Sequence, residues 1–225
     1  MLVDKYVIDK EGNYVEYVLY DEDSKEVQHY KLKDDESLVP MIDLTLFIKP
    51  KWDGKEWIET ANKAEINIKN NEQLENIKNI KLLEVNNSCK QAIELGFDLK
   101  LSNNKIKHFS LTETDQINIT TAYSAILQGA SGFLYHADGE LCTLFSAEDI
   151  ILLTTMATQF KTYQTTYCNH LRYWIKREID INIINDIVYG CNLPDDLQKN
   201  MDVILTSPMS NNENIDSGYI PTKEW

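Results

Sequence analysis

The chain has 225 residues, 43% of them apolar and 26% charged, with a formal net charge of −14. That length bounds it to one large domain or two small ones with a real core. The acid excess disfavours nucleic acid as a partner, because phosphate binding needs clustered Lys and Arg.

The charge is uneven. Residues 1–60 hold 8 Lys against 15 Asp or Glu, a net of −7. This marks residues 1–66 as an acidic β-rich attachment module, distinct from the rest. The N-terminus MLVDKYVIDKEG lacks the apolar region of a signal peptide, and no apolar run is long enough to span a membrane. Cys89, Cys142, Cys168 and Cys191 are scattered without CxxC spacing. Free thiols are therefore expected, with no metal and no cofactor.

Taken in chain order, Tyr6-Val7-Ile8 and Tyr14 to Tyr20 read as strands around a glycine-containing turn, and Val27 to Leu32 adds a third. Asp34 to Ser37 is a charged loop. Met41 to Ile48, bracketed by Pro40 and Pro50, reads as extended. Asp53-Gly54 then predicts a tight hairpin turn with Trp52 and Trp57 facing each other across it. Residues 67–71 read as a polar linker. Residues 72–207 form a helical domain with hairpins, and residues 208–225 a polar tail.

The first helix runs from Glu72 to Leu95, with Leu82, Val85, Cys89 and Ala92 on one face and Gly96 as its C-cap. Phe97 to Leu101 and Lys105 to Phe109 alternate around Ser102-Asn103-Asn104, a second hairpin. Thr112 with Asp115 is a capping box opening a helix that ends near Gly129. Phe133 to Phe145 is a third hairpin, turned at Asp138-Gly139. Leu134, Leu141, Leu144 and Phe145 are assigned to the core. Ser146 with Asp149 repeats the capping box.

From Ile150 the series Leu153, Ala157, Phe160, Tyr167, Leu171 and Trp174 defines a helix of about thirty residues, broken in its spacing only at Gln164. Such a helix packs either on copies of itself or on its own domain. A short helix over Ile181 to Tyr189 and a last one from Pro194 through Leu205 follow. The fold class is therefore α+β: a small N-terminal antiparallel β module, then a mainly helical domain with two β-hairpins and one long helix.

His136, Asp138, Glu140 and Cys142 alternate, as metal ligands or a hydrolytic constellation do. The turn at Asp138-Gly139 argues against a straight strand, and two ligands on opposite arms are not a site. His29 sits in a β segment with no partner in sequence, His108 lies in the second hairpin, and His170 does not share a helix face with Cys168. Phosphate loops, HExxH and GxSxG are absent. No carboxylate pair stands out for glycan hydrolysis. The aromatic residues Trp52, Trp57, Tyr163, Tyr167, Trp174 and Trp225 are the candidates for partner binding.

Several segments keep a common order: Ala92-Ile93 with Gly96-Phe97, His108-Phe109-Ser110-Leu111, Asp115 to Asn118, Tyr135 to Cys142, Phe145 to Asp149, Lys161-Thr162-Tyr163 and Tyr167-Cys168-Asn169. Together they resemble an uncharacterised domain of tail-region proteins in phages and phage-like elements of Firmicutes. Lys49 to Gly54 with Trp57-Ile58-Glu59 resembles modules of phage tail-fibre and fibre-assembly proteins. The resemblance implies a non-enzymatic structural component of a tail or tail-like particle, at the baseplate periphery or between fibre and baseplate. Its partners would be other tail, baseplate or fibre proteins, or copies of itself in an oligomer or ring, with no nucleic acid and no membrane. It would be located in the virion tail, and in the host cytoplasm during assembly. A tail-fibre assembly chaperone, absent from the mature particle, is the alternative.

Overall fold

The computed structural model describes residues 1–207. The expected C-terminal tail and Trp225 lie outside them. The class is α+β, as expected: an N-terminal antiparallel sheet region followed by a helical region with hairpins and a long helix. The chain divides into two compact units, Met1–Glu75 and the residues from Asn76 onward.

The first unit is a four-stranded antiparallel sheet in the order β3-β2-β1-β4, with a separate hairpin, β5–β6. The strands are β1 (Leu2–Ile8), β2 (Tyr14–Asp21), β3 (Glu26–Gln28), β4 (Ser37–Pro40), β5 (Pro50–Trp52) and β6 (Trp57–Glu59). The third strand is shorter than its composition suggests, and Ser37, expected in a loop, begins β4. Met41 to Ile48 is not extended throughout. Asp43 accepts from the Thr45 amide and caps a 3-10 turn over Leu44–Leu46. The core is Ile8, Val39 and Trp57, with Tyr6, Ile42, Leu44, Phe47 and Trp52 around it. Trp52 and Trp57 pair across the hairpin as predicted, edge to face with ring centres 5.9 Å apart.

Helix α1 spans Lys63–Leu95, so residues 67–71 are helical rather than a linker. Two sequence features explain this. Asn62 and Glu65 form a capping box: the Asn62 side chain accepts from the Ala64 and Glu65 amides, and Glu65 accepts from the Asn62 amide. No Gly or Pro then occurs until Gly96, so nothing interrupts the ladder despite its polar face.

The second unit contains the hairpins β7 (Phe97–Lys100)–β8 (Ile106–Phe109) and β9 (Gly132–Tyr135)–β10 (Thr143–Ser146). Its other helices are α2 (Glu113–Leu127), α3 (Ala147–Arg177), α4 (Ile181–Asp186) and α5 (Asp195–Leu205). The main core joins Phe97, Leu99, Phe109 and Leu111 to Ile119 and Ala122 of α2, to Tyr135 and Phe145, and to Ile150, Leu153 and Phe160 of α3. The long helix thus packs on its own domain.

Both ends of α3 are tied by side chains. At the start, the Ser146 hydroxyl accepts from the Asp149 amide, one half of the expected capping box, and also donates to the Asp149 carboxylate. The buried Asp149 carboxylate also accepts from the amide and hydroxyl of Ser102 in the β7–β8 turn. At the end, the Lys78 ammonium of α1 donates to the Lys176 carbonyl, where the helix dipole favours a cation. Arg177 forms a two-point ion pair with Asp196 in the first turn of α5.

Glycine is required most strongly at Gly96. Its φ is +77°, and a Cβ there would come within 1.9 Å of the Phe109 carbonyl oxygen. Gly139 also has positive φ, +72°, but a Cβ there would meet nothing within 4 Å. Gly139→Val is expected to cost about 1–2 kcal/mol through backbone strain alone. Gly96→Ala is expected to cost more, because strain and collision combine. Urea unfolding of the two variants side by side measures the difference. Equal midpoints would refute the close approach at Gly96.

Candidate functional site

The site begins at the third hairpin. Tyr135 pairs with Thr143, so the connection covers residues 136–142; the expected turn at Asp138-Gly139 is present, with the Glu140 amide donating to the Ala137 carbonyl, but it sits inside a longer loop rather than joining the strands directly. The reason lies outside the hairpin. The Asp138 amide donates to the His108 carbonyl, and its carboxylate accepts from the Ser110 amide at 2.9 Å and the Ser110 hydroxyl at 3.0 Å. These bonds to the end of β8 hold the loop open. Ala137 is buried beneath it.

The joint extends into α2. The Ser110 hydroxyl also lies 3.2 Å from the Asp115 carboxylate, which accepts from the Thr112 amide while Thr112 accepts from the Asp115 amide. The predicted capping box is therefore one end of a longer polar chain. Lys107 and Glu140 form an ion pair.

His108 belongs to this cluster. Its Nδ1 lies 2.8 Å from Asp98 Oδ1 and its Nε2 2.7 Å from the Leu95 carbonyl. Only the imidazolium satisfies both acceptors. Burial lowers its pKa, but the bonds to Asp98 and Leu95 and the charge of Asp138 outweigh that and raise it.

The proximity of Ser110, His108 and two aspartates invites comparison with a nucleophile–base–acid triad. The hydrogen bonds run otherwise. Ser110 donates to carboxylates, and the His108 nitrogen that would activate it is turned to the Leu95 carbonyl. Asp138 and Glu140 are engaged by Ser110 and Lys107. Cys142 is exposed, and His136 stacks on Tyr135 with ring centres 5.7 Å apart. Among the described residues, no group of three or more His, Cys, Asp and Glu could hold a metal ion, and no helix is long and apolar enough to cross a membrane.

The aromatic candidates are largely spoken for. Trp57 is buried and donates to the Pro40 carbonyl, with Trp52 half-buried against it. Tyr167 is buried, donates to the Cys191 carbonyl and accepts from the Gly190 amide. Trp57 and Tyr167 therefore serve internal packing, and Trp52 packs against Trp57 while staying half-exposed. Tyr163 and Trp174 are half-buried. Gln164, the break in the apolar spacing, is buried and accepts from the Tyr189 hydroxyl at 2.6 Å.

The exposed apolar surface lies elsewhere. Leu134 and Leu144 are register partners on the outer face of β9–β10, 66% and 73% exposed, and Leu141 in the loop is 87% exposed. All three were expected in the core. Only Phe133, Tyr135 and Phe145 face inward. The alternation of Leu134 against its neighbours was the available signal, since period two puts it opposite Phe133 and Tyr135.

A second feature is an open groove of about 300 Å³ between α1, α2 and α3. Cys89, Gln116, Lys161, Cys168 and Arg172 contribute to its walls. Arg172 Nε is buried there without a hydrogen-bond partner among the described residues.

Fold and site together define an α+β protein whose helical unit is fastened by polar side-chain joints and leaves one hairpin face bare. A family model described as a domain of unknown function, DUF4376, matches residues 76–189, just over half of the chain, and the chain belongs to that family. The matched span contains every segment from Cys89 to Trp174 quoted above. No curated protein and no solved structure matches the chain.

The histidine joint has a defined pH response. A pKa raised in the folded state gives stability fully present below the ordinary histidine value of 6.5 and lost as pH rises through the folded value. The urea midpoint of the wild type is expected to fall relative to His108→Asn between acidic and mildly alkaline pH. Parallel pH profiles for the two proteins would refute a charged His108.

Proposed function

We propose that this chain is a non-enzymatic structural component of a phage tail or tail-like particle, at the baseplate periphery or between fibre and baseplate. The observation that carries an assembly role is the bare Leu134–Leu144 face. Large apolar side chains paired outward on a two-stranded hairpin lose nothing by being covered, and contiguous exposed apolar surface marks interaction sites. The tail assignment rests on the ordered segments from Cys89 to Trp174 and on their resemblance to tail-region proteins. The polar joint supports the same reading, because Ser110, Asp115 and Asp138 from those segments meet in one hydrogen-bonded chain that shapes the hairpin, with the His108 ring 3.8 Å from Asp138.

The partner is a neighbouring tail, baseplate or fibre protein, with copies of this chain arranged by the particle's symmetry. Mass spectrometry of purified particles tests the role. The chain is expected in mature tails at a fixed copy number. Its presence in assembly lysates with absence from finished particles would replace this reading with the fibre-assembly chaperone.

Leu134→Ser combined with Leu144→Ser is expected to lower incorporation into particles several-fold while leaving the melting temperature nearly unchanged. Full incorporation of that double variant would remove the hairpin face from the argument.

A further inference from the structure

Cys89 and Cys168, expected as free thiols, occupy reciprocal positions across the α1–α3 contact. Cys89 Sγ donates to the Gln164 carbonyl at 3.6 Å, and residue 164 lies one helical turn before Cys168. Cys168 Sγ lies 4.0 Å from the Val85 carbonyl, one turn before Cys89, and 3.8 Å from Asn86 Oδ1. Each thiol thus rests against the turn of backbone that carries the other. Both are free and buried, and both line the open groove beside Arg172, the path by which a small oxidant would reach them.

We propose that Cys89 and Cys168 are a thiol pair that closes to an intramolecular disulfide when the protein meets a low-molecular-weight disulfide oxidant, covalently joining α1 to α3. The electrostatics favour Cys89 as the attacking group. The hydrogen bond from Cys168, helped by the Tyr189 hydroxyl and the Arg172 charge, outweighs burial and holds its thiol below the usual range. The same bond, with burial, pushes Cys168 up. The thiolate is the nucleophile in disulfide exchange.

The steps balance. The Cys89 thiolate attacks one sulfur of the oxidant, whose S–S bond breaks and releases one thiolate. Once Cys89 is in the mixed disulfide, the negative charge that retained the Cys168 proton is gone. Cys168 then loses its proton to solvent and attacks Cys89 Sγ, which expels the second half of the oxidant. Two electrons pass to the oxidant, which leaves as two thiols, and the two protein thiols have given up two protons. Closure brings the two sulfurs to about 2.05 Å. The link encloses the whole segment between Cys89 and Cys168, including both hairpins and α2, and so constrains the unfolded chain over a long loop.

The test is incubation of the full chain with oxidised glutathione, followed by quenching, denaturation, alkylation and peptide mass spectrometry. The expected result is loss of two of the four alkylatable thiols, a Cys89–Cys168 linked peptide in the monomer, and a melting temperature higher by several degrees that reverts with reductant. Cys142→Ser should change none of this, and Cys89→Ala should prevent the link. Recovery of Cys89 and Cys168 alkylated after oxidant treatment would overturn the proposal. So would a link that instead joins two chains through Cys142, or a stable Cys89–glutathione adduct that never resolves. The wild-type measurement stands alone if Cys89→Ala folds poorly.

Discussion

A two-stranded hairpin buries too little apolar surface to stand alone in water. The helical unit contains two of them, and both use the inward stripe of α3 and its neighbour α2 as their missing face. Phe97 and Phe160 meet with ring centres 5.4 Å apart, and Phe109 stacks on Tyr135 across the two hairpins. Without that stripe, neither strand pair would hold its register, and the loop between β9 and β10 would have nothing to close against.

Polar joints then fix what apolar packing leaves free. Burial is non-directional, so it places the hairpins on α3 without fixing how far each slides. Asp149 with Ser102 sets one hairpin against the start of α3. Asp138 with Ser110 sets the other against β8. His108 with Asp98 and the Leu95 carbonyl ties β7 and β8 to the end of α1. Asp149 is buried, so losing the Ser102 bonds there leaves a polar side chain short of partners, which makes the joint selective for one geometry.

The consequence for function is a division of surfaces. Aromatic side chains that looked available, Trp57 and Tyr167, are used internally because their polar tips find backbone partners. The leucines that looked internal, Leu134 and Leu144, face outward because the strand period leaves no choice once Phe133, Tyr135 and Phe145 are inside. The proposed docking face and the proposed thiol pair lie on different parts of the unit, the hairpin and the α1–α3 contact. One can be altered without the other.

The sequence by itself determined the α+β class, the Trp52–Trp57 hairpin, the Thr112 and Ser146 caps and the long α3 helix, because each depends on neighbours within a few residues. It also held the Asn62–Glu65 cap that carries α1 through residues 67–71, although the polar composition obscured it. Tertiary structure alone decided the seven-residue loop at 136–142, the engagement of His108 and the meeting of Cys89 with Cys168. Those features depend on partners from about 10 to 80 residues away, and no local propensity encodes which distant carbonyl or carboxylate will be within hydrogen-bond reach once the core has closed.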